Sequence, residues 1–385
     1  MALLEVEDLT TYFYTEEGIV QAVDGISFEI ERGETLGLVG ESGAGKSVAV
    51  ESLLGLVRPP GHVVDGSIRF EGEELLDYSE TELRERVRGE KISFIFQDPM
   101  SALNPVFTVG SQISEIIEHH RDVTEAEAWD RTVELLDDVG IPDPAERADQ
   151  YPHEFSGGMQ QRAIIAMALS CEPDLIIADE PTTALDVTIQ AQILDLFNDI
   201  QTEYDTSMIY VTHDLGVVRE VCDRVAVMYL GEIAEKAPYE ELYRNPKHPY
   251  TQALLRSTVT ADRRAEELDP IEGSMPSAID PPSGCRYRTR CPAAFADCAE
   301  VEPPDYEVGP DHTTACLLYG DESKSDPRLH ETGETGGAGG GTDDRGWTDG
   351  GTRDIDRGTS RDTGRGTGDD ERGPGDDERG PGGER

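Results

Sequence analysis

The chain is poor in positive charge: 33 Lys and Arg stand against 80 Asp and Glu in 385 residues, a formal net charge of -47. Binding to nucleic acid or anionic lipid through bulk charge is therefore disfavoured, and partners have to be met through local surfaces. So many carboxylates repel one another at low ionic strength, whereas salt near 1 M shortens the Debye length to ~3 Å and screens the repulsion. The imbalance points to a salt-rich, halophilic cytoplasm.

Long apolar runs are also missing. No stretch reaches the roughly 18 consecutive apolar residues of a membrane-spanning helix. The N-terminal MALLEVEDLT has no basic region leading into an apolar segment. The expectation is a protein that is neither secreted nor membrane-spanning by its own sequence. Cysteine is sparse, with six residues, and without a leader these read as reduced thiols or metal ligands before structural disulfides.

The length suggests two folded units plus whatever does not fold. Residues 1 to about 235 alternate short β-branched runs with helical patterns, which reads as α/β with a largely parallel sheet. Strands are expected at 27–30, 35–39, 92–96, 175–178, 208–211 and 225–228. From Ser111 to about Gln150 the period becomes helical (Ile113, Ile116, Ile117, then Val133, Leu135, Leu136, Val139), marking a helical insertion within about 98–165. A first unit over 1–255 is followed by a small second domain, 256–320, with many prolines, little regular structure and four clustered cysteines. From about Asp321 the composition collapses to Gly, Asp, Glu, Arg and Thr, with GDDERGP at 368–374 and again at 375–381. That acidic tail, 321–385, has too little apolar surface to order itself.

Gly40-Glu41-Ser42-Gly43-Ala44-Gly45-Lys46-Ser47 matches G-x-x-x-x-G-K-[ST] between an apolar strand and a helical pattern. Its glycines let successive N–H groups turn toward phosphate oxygens, and the following helix N-terminus adds positive potential. Lys46 can reach β and γ phosphates, and Ser47 can ligate Mg2+. The apolar run Leu175 to Ala178 ends in Asp179 and Glu180. One of these carboxylates can hold a Mg2+ shell and the other can polarise water.

Between these lies Phe155-Ser156-Gly157-Gly158-Met159-Gln160-Gln161-Arg162, followed by a helical run to Leu169. With it the chain resembles the ABC ATPases over roughly residues 3–320. That resemblance implies a P-loop NTPase cassette: a RecA-like parallel core, an antiparallel β subdomain and a helical subdomain. It makes Ser156, Gly157, Gly158, Met159 and Gln160 the signature that closes over ATP held by the opposite subunit. Gln97 becomes the glutamine that senses Mg2+ and the transmembrane partner, so that Ser47, Gln97 and Asp179 form the Mg2+ set. Ala184-Leu185-Asp186 becomes the D-loop, Glu180 the catalytic base, and His213 the switch histidine that contacts the γ-phosphate. The family also places an aromatic residue after the first strand against adenine; Phe13 fits best by spacing, with Tyr12 the competitor. His119 and His120 show no partner pattern and read as surface residues.

Asn245-Pro246-Lys247-His248-Pro249-Tyr250-Thr251, followed by Gln252 to Leu255, resembles a segment just past the cassette in ATPases of oligopeptide, dipeptide and nickel importers. Cys285, Cys291, Cys298 and Cys316 form C-x5-C-x6-C-x17-C, and four thiolates in a reduced compartment suggest a metal site whose spacing does not separate iron from zinc. The same importer ATPases carry a matching cysteine set, in some members holding a [4Fe-4S] cluster, so that cluster ranks ahead of free thiols and zinc. Cys171 and Cys222 read as small buried hydrophobes.

The resemblance implies an ATP hydrolase that powers di- or oligopeptide import, with ATP and Mg2+ as ligands. Its partners are a second cassette paired head to tail, two permease subunits and, indirectly, an extracytoplasmic solute-binding protein, with no nucleic acid. Its place is the cytoplasmic membrane face. Import of nickel or another small solute, a redox-sensing role and a soluble, non-transport ABC ATPase are the competing readings.

Overall fold

Twelve residues of alternating polar and apolar character open the chain as β1 (Leu4–Thr15), which pairs antiparallel with β2 (Gly18–Ile30). The buried strand β3 (Thr35–Val39) feeds the loop 40–45 and helix α1 (Lys46–Leu53). β4 (Gly61–Phe70) and β5 (Glu73–Glu74) return to complete a four-stranded antiparallel sheet of order β2-β1-β4-β5. The computed structural model describes residues 2–97, 102–183, 185–257 and 271–320. All of these fall in one compact unit. The expectation for Ala184 and that for the tail at 321–385 lie outside the described residues, as do 98–101 of the expected helical insertion and 258–270 of the expected second domain.

After α2 (Glu80–Arg86) and β6 (Ile92–Ile95) come the helices α3 (Val109–His120), α4 (Glu125–Asp138), α5 (Pro144–Ala148) and α6 (Gly157–Leu169). Local chemistry sets their starts. Thr124 and Glu127 form a reciprocal capping box at α4, and Thr108 caps α3. Then follow β7 (Leu175–Asp179), α7 (Val187–Tyr204), β8 (Ser207–Thr212), α8 (Leu215–Val221), β9 (Arg224–Tyr229) and β10 (Glu232–Pro238).

Among the described residues the second sheet has eight strands in the order β11 (Tyr306–Gly309), β12 (His312–Thr314), β10, β9, β3, β8, β7, β6. The strands β9, β3, β8, β7 and β6 run parallel, with β6 at the edge. β7 and β8 are buried on both faces, as a parallel sheet covered by helices requires. Along β7 and β8 the side chains alternate between two cores: Ile176, Ala178, Met208 and Tyr210 face the helical insertion, while Leu175, Ile177, Ile209 and Val211 face α1 and the antiparallel sheet. Each such fully buried aliphatic side chain contributes about 1.5–3 kcal/mol over an exposed one.

The described part of the cysteine-bearing segment joins this same body. Following α9 (Tyr239–Arg244) and α10 (Pro249–Ser257), the hairpin of β11 (Tyr306–Gly309) and β12 (His312–Thr314) pairs with β10 and extends the sheet. The long strands β1 and β4 and the true start of β2 at Gly18 go beyond the strands expected from sequence. Their pairing carries register shifts between Val6 and Leu9 and between Leu9 and Thr11, so the simple period of two is broken there.

Candidate nucleotide site

The loop between β3 and α1 has backbone demands that only glycine meets at two positions. Gly45 has φ 103°, and a Cβ there would lie 2.1 Å from the Ala22 carbonyl oxygen. A Cβ on Gly40 would lie 2.2 Å from the Met228 carbonyl oxygen. The loop thus packs backbone to backbone against β2 and β9 at these two glycines. Lys46 Nζ, on a buried side chain, donates to the carbonyls of Gly40 at 2.8 Å and Glu41 at 3.1 Å. Burial lowers its pKa, while Glu180, Asp179 and Glu41 oppose the shift.

Strand β7 delivers Asp179 and Glu180 beside this lysine. Glu180 sits just past the strand with φ 45°, a left-handed conformation that costs a non-glycine residue on the order of 1 kcal/mol. Its N–H donates to the Val211 carbonyl at 2.9 Å. Its Oε1 lies 3.1 Å from His213 Nδ1 and 3.9 Å from Lys46 Nζ. Its Oε2 accepts from Gln97 Nε2 at 2.9 Å and from the Thr183 hydroxyl at 3.0 Å. Burial pushes the Glu180 pKa up, but His213, Thr183 and Lys46 outweigh it and hold the group below its ordinary value. Asp179 behaves oppositely: burial raises it to about 6, against a hydrogen bond from Ser47.

A cleft of about 250 Å³ is lined by Ser42, Gly43, Gly45, Lys46, Ser47, Gln97 and Glu180 among others. Sequence reading missed other parts of its wall, Val20, Gln21, Ala22, Leu230, Gly231 and Ala278. These come from β2, the β9–β10 turn and the post-cassette segment, and no motif marks them. Thr183 was missed likewise, although it follows Glu180 closely.

Other expected site residues lie elsewhere. The Phe13 ring packs over Gly61 and is half-buried, outside the cleft lining. Tyr12 turns its hydroxyl to Asp24 Oδ1 at 2.5 Å. Ser156 caps α6, its Oγ accepting the Met159 N–H at 3.3 Å. Ser156 and Gly157 are exposed and Gly158 half-buried, all outside the cleft lining, while Gln160 Nε2 is tied to the Pro152 carbonyl at 2.7 Å. Asp186 caps α7, accepting from the N–H groups of Thr188 and Ile189 at 3.0 Å each. His119 is exposed and His120 half-buried, while Cys171 and Cys222 are buried.

The segment 245–251 has a structural reason that its sequence does not disclose. The buried Glu235 carboxylate accepts the N–H of Lys247 at 2.7 Å and of His248 at 2.8 Å, and also meets His312 Nε2 at 2.7 Å. Tyr250, thereby fixed, accepts the Glu41 N–H on its hydroxyl at 2.9 Å. The Glu41 carboxylate receives both terminal nitrogens of Arg290, at 2.9 and 3.1 Å.

All six cysteines are free thiols. Cys285, Cys291, Cys298 and Cys316 lie near enough to perturb one another, and burial pushes the Cys285 thiol up to about 11 and Cys316 to about 12. Among the described residues, however, no group of three or more His, Cys, Asp or Glu side chains is placed to hold a metal ion. The donor set expected for a cluster is not assembled. Spacing brings these thiols into one neighbourhood, but it does not fix where they point.

Among the described residues no helix is long and apolar enough to cross a membrane. Residues 23–183 match the family model described as ABC transporter, and residues 234–298 match the oligopeptide/dipeptide transporter C-terminal region. The chain is 50% identical over 317 residues to the dipeptide transport ATP-binding protein DppD of Bacillus subtilis (strain 168), covering 82% of this chain and 94% of that one. It is 50% identical over 328 residues to the oligopeptide transport ATP-binding protein OppD of the same organism, covering 84% and 91%. Among solved structures, the dimeric, post-hydrolysis ATP-binding cassette MJ0796 bound to ADP and Pi matches with a TM-score of 0.56 and 27% identity, covering 61% of this chain and 98% of that one. The two family matches, and 50% identity to relatives covered over nine-tenths of their length, mean that the chain, with its glycine-lined loop and the Glu180 carboxylate held between Gln97 and His213, belongs to the ABC transporter ATP-binding protein family.

Proposed function

We propose that this chain binds and hydrolyses ATP to power an importer of di- and oligopeptides, as one half of a head-to-tail cassette pair acting on separate permease subunits at the cytoplasmic membrane face. The observation that carries the pairing is the separation of parts: Lys46 and Glu180 line the cleft, while Ser156 and Gly157 stand exposed and outside it. A second cassette supplies what one lacks. Peptide as cargo is supported by relatives named for dipeptide and oligopeptide transport, matched over 94% and 91% of their lengths.

The chemistry follows from the geometry. Lys46 and the loop N–H groups hold the β and γ phosphates, and the Ser156 hydroxyl with the start of α6 from the partner cassette adds donors to the γ-phosphate. Glu180, ionised and held through both oxygens, orients a water and takes its proton as the water oxygen bonds to the γ-phosphorus and the bond to ADP breaks. His213 fixes that carboxylate and reads the γ-phosphate. Asp179 Oδ1 is buried without a hydrogen-bond partner beside Ser47, an oxygen pair that fits Mg2+. When bound, Mg2+ supplies positive charge against the phosphates. Phe13 is assigned to the adenine from the family's pattern. A [4Fe-4S] cluster on Cys285, Cys291, Cys298 and Cys316 is implied by the resemblance alone; these residues as placed do not fit one, and no step is assigned to them.

Reconstitution with two permeases and a solute-binding protein in vesicles tests the whole reading. Peptide should stimulate ATP hydrolysis several-fold. Stimulation by Ni2+ with no response to peptides would overturn the cargo, and turnover without permeases equal to the reconstituted rate would overturn the coupling.

A further inference from the structure

Glu41 places a carboxylate on a loop whose proposed task is to collect anions. Its carbonyl accepts from Lys46 Nζ at 3.1 Å, so a free carboxylate on the same residue would oppose the like charge of an incoming triphosphate. Arg290 answers it. Its guanidinium engages Glu41 through two nitrogens at 2.9 and 3.1 Å, with only 4% of the side chain exposed. The remaining donors fix its orientation: Nε reaches the Glu272 carbonyl at 3.0 Å, and Nη2 also reaches that of Gly273 at 3.4 Å. The Tyr229 ring lies under the guanidinium with 5.9 Å to its centroid. Tyr250, packed on Tyr229 at 4.7 Å, takes the Glu41 N–H.

We propose that Arg290 is a positioning residue for ATP binding that acts through Glu41: it neutralises and holds the carboxylate, so the segment after the cassette sets the affinity of the phosphate loop. The bidentate fork is what arginine provides and lysine does not. Its neighbour Cys291 and the nearby Cys285, whose N–H donates to the Cys298 carbonyl at 2.9 Å, place this arginine at the rim of the cysteine-bearing loop. The conformation of that loop is therefore felt at the phosphates.

The inference rests on residues 40–47 being the ATP site, and direct ATP binding to the wild-type chain by calorimetry tests that part separately. Arg290→Gln should raise KM for ATP roughly tenfold with kcat within about twofold, the mark of lost ground-state binding. Glu41→Gln, which leaves the Arg290 charge unanswered beside the loop, should lower KM for ATP several-fold. The double variant should return to near the wild-type KM, because the charge that Arg290 answers is gone. A wild-type KM in Arg290→Gln, or a double variant no better than Arg290→Gln, overturns the proposal. Should Arg290→Gln not fold, as judged by circular dichroism, Glu41→Gln decides: a KM unchanged or raised there overturns it. A wild-type chain that binds no ATP overturns the site assignment itself, a result distinct from either.

Discussion

His213 Nδ1 and Glu180 Oε1 are 3.1 Å apart, and the carboxylate's other oxygen is shared by Gln97 and Thr183. A group held through both oxygens cannot rotate, so its basicity is aimed. Replacing Glu180 with Gln keeps the shape and removes the base. Phosphate release should fall by at least about a hundredfold, and a cassette pair should persist with ATP in gel filtration. Retained wild-type turnover would show that Glu180 is not the base.

The pairing has its own test by complementation. Lys46→Ala spoils the phosphate loop and Ser156→Arg spoils the signature, so each alone should lose nearly all hydrolysis. Mixed at concentrations where cassettes associate, they form pairs with one intact composite site and should recover part of the wild-type rate. No recovery at any mixing ratio argues for a site complete within one chain.

Acid should loosen the junction at His248. Burial drives its pKa down from 6.5 to about 4, with Glu235 opposing the shift, and its Nδ1 accepts the Tyr250 N–H at 3.0 Å. A protonated ring would turn a donor against a donor. Because the folded-state value lies below the unfolded one, this group's stabilisation is complete above pH 6.5 and is lost as pH falls toward 4. The slope is about 1.4 kcal/mol per pH unit for one proton. Urea unfolding at pH 7.5, 6.5, 5.5 and 4.5 should show little loss between the first two and approach this slope below pH 6.5 in the wild type. His248→Asn, whose side-chain oxygen can still accept the Tyr250 N–H, should flatten it; an unchanged slope would assign the acid sensitivity elsewhere.

The charge balance of -47 makes a solution prediction. Dialysis from molar to ~0.05 M salt lengthens the screening distance several-fold, and helical circular dichroism should fall as the carboxylates repel. A spectrum unchanged across that range removes the halophilic reading.

The parts of the site legible in sequence were those with strict local demands. Gly40 and Gly45 are forced by nearby carbonyls, Lys46 by reach, and Asp179 and Glu180 by the end of a buried strand. The parallel core was legible because its strands are apolar on both faces. The antiparallel strands were not, since half-buried residues and register shifts blur their alternation. Arg290 was invisible for another reason: it meets Glu41 across 249 positions, and nothing local in either segment announces the other. The same is true of Glu235, which explains the segment 245–251 from 12 and 13 positions upstream.

The hairpin that extends the large sheet also decides how that sheet meets the crowded solution around it. Its outermost strand, Tyr306–Gly309, has four residues, carries Glu307, ends in glycine, and is bracketed by Pro304 and Pro310. Proline offers no N–H, and so short and acidic a border gives a foreign strand little to align with. The C-terminal region therefore works as a selvedge, finishing an open row of backbone groups that would otherwise invite aggregation.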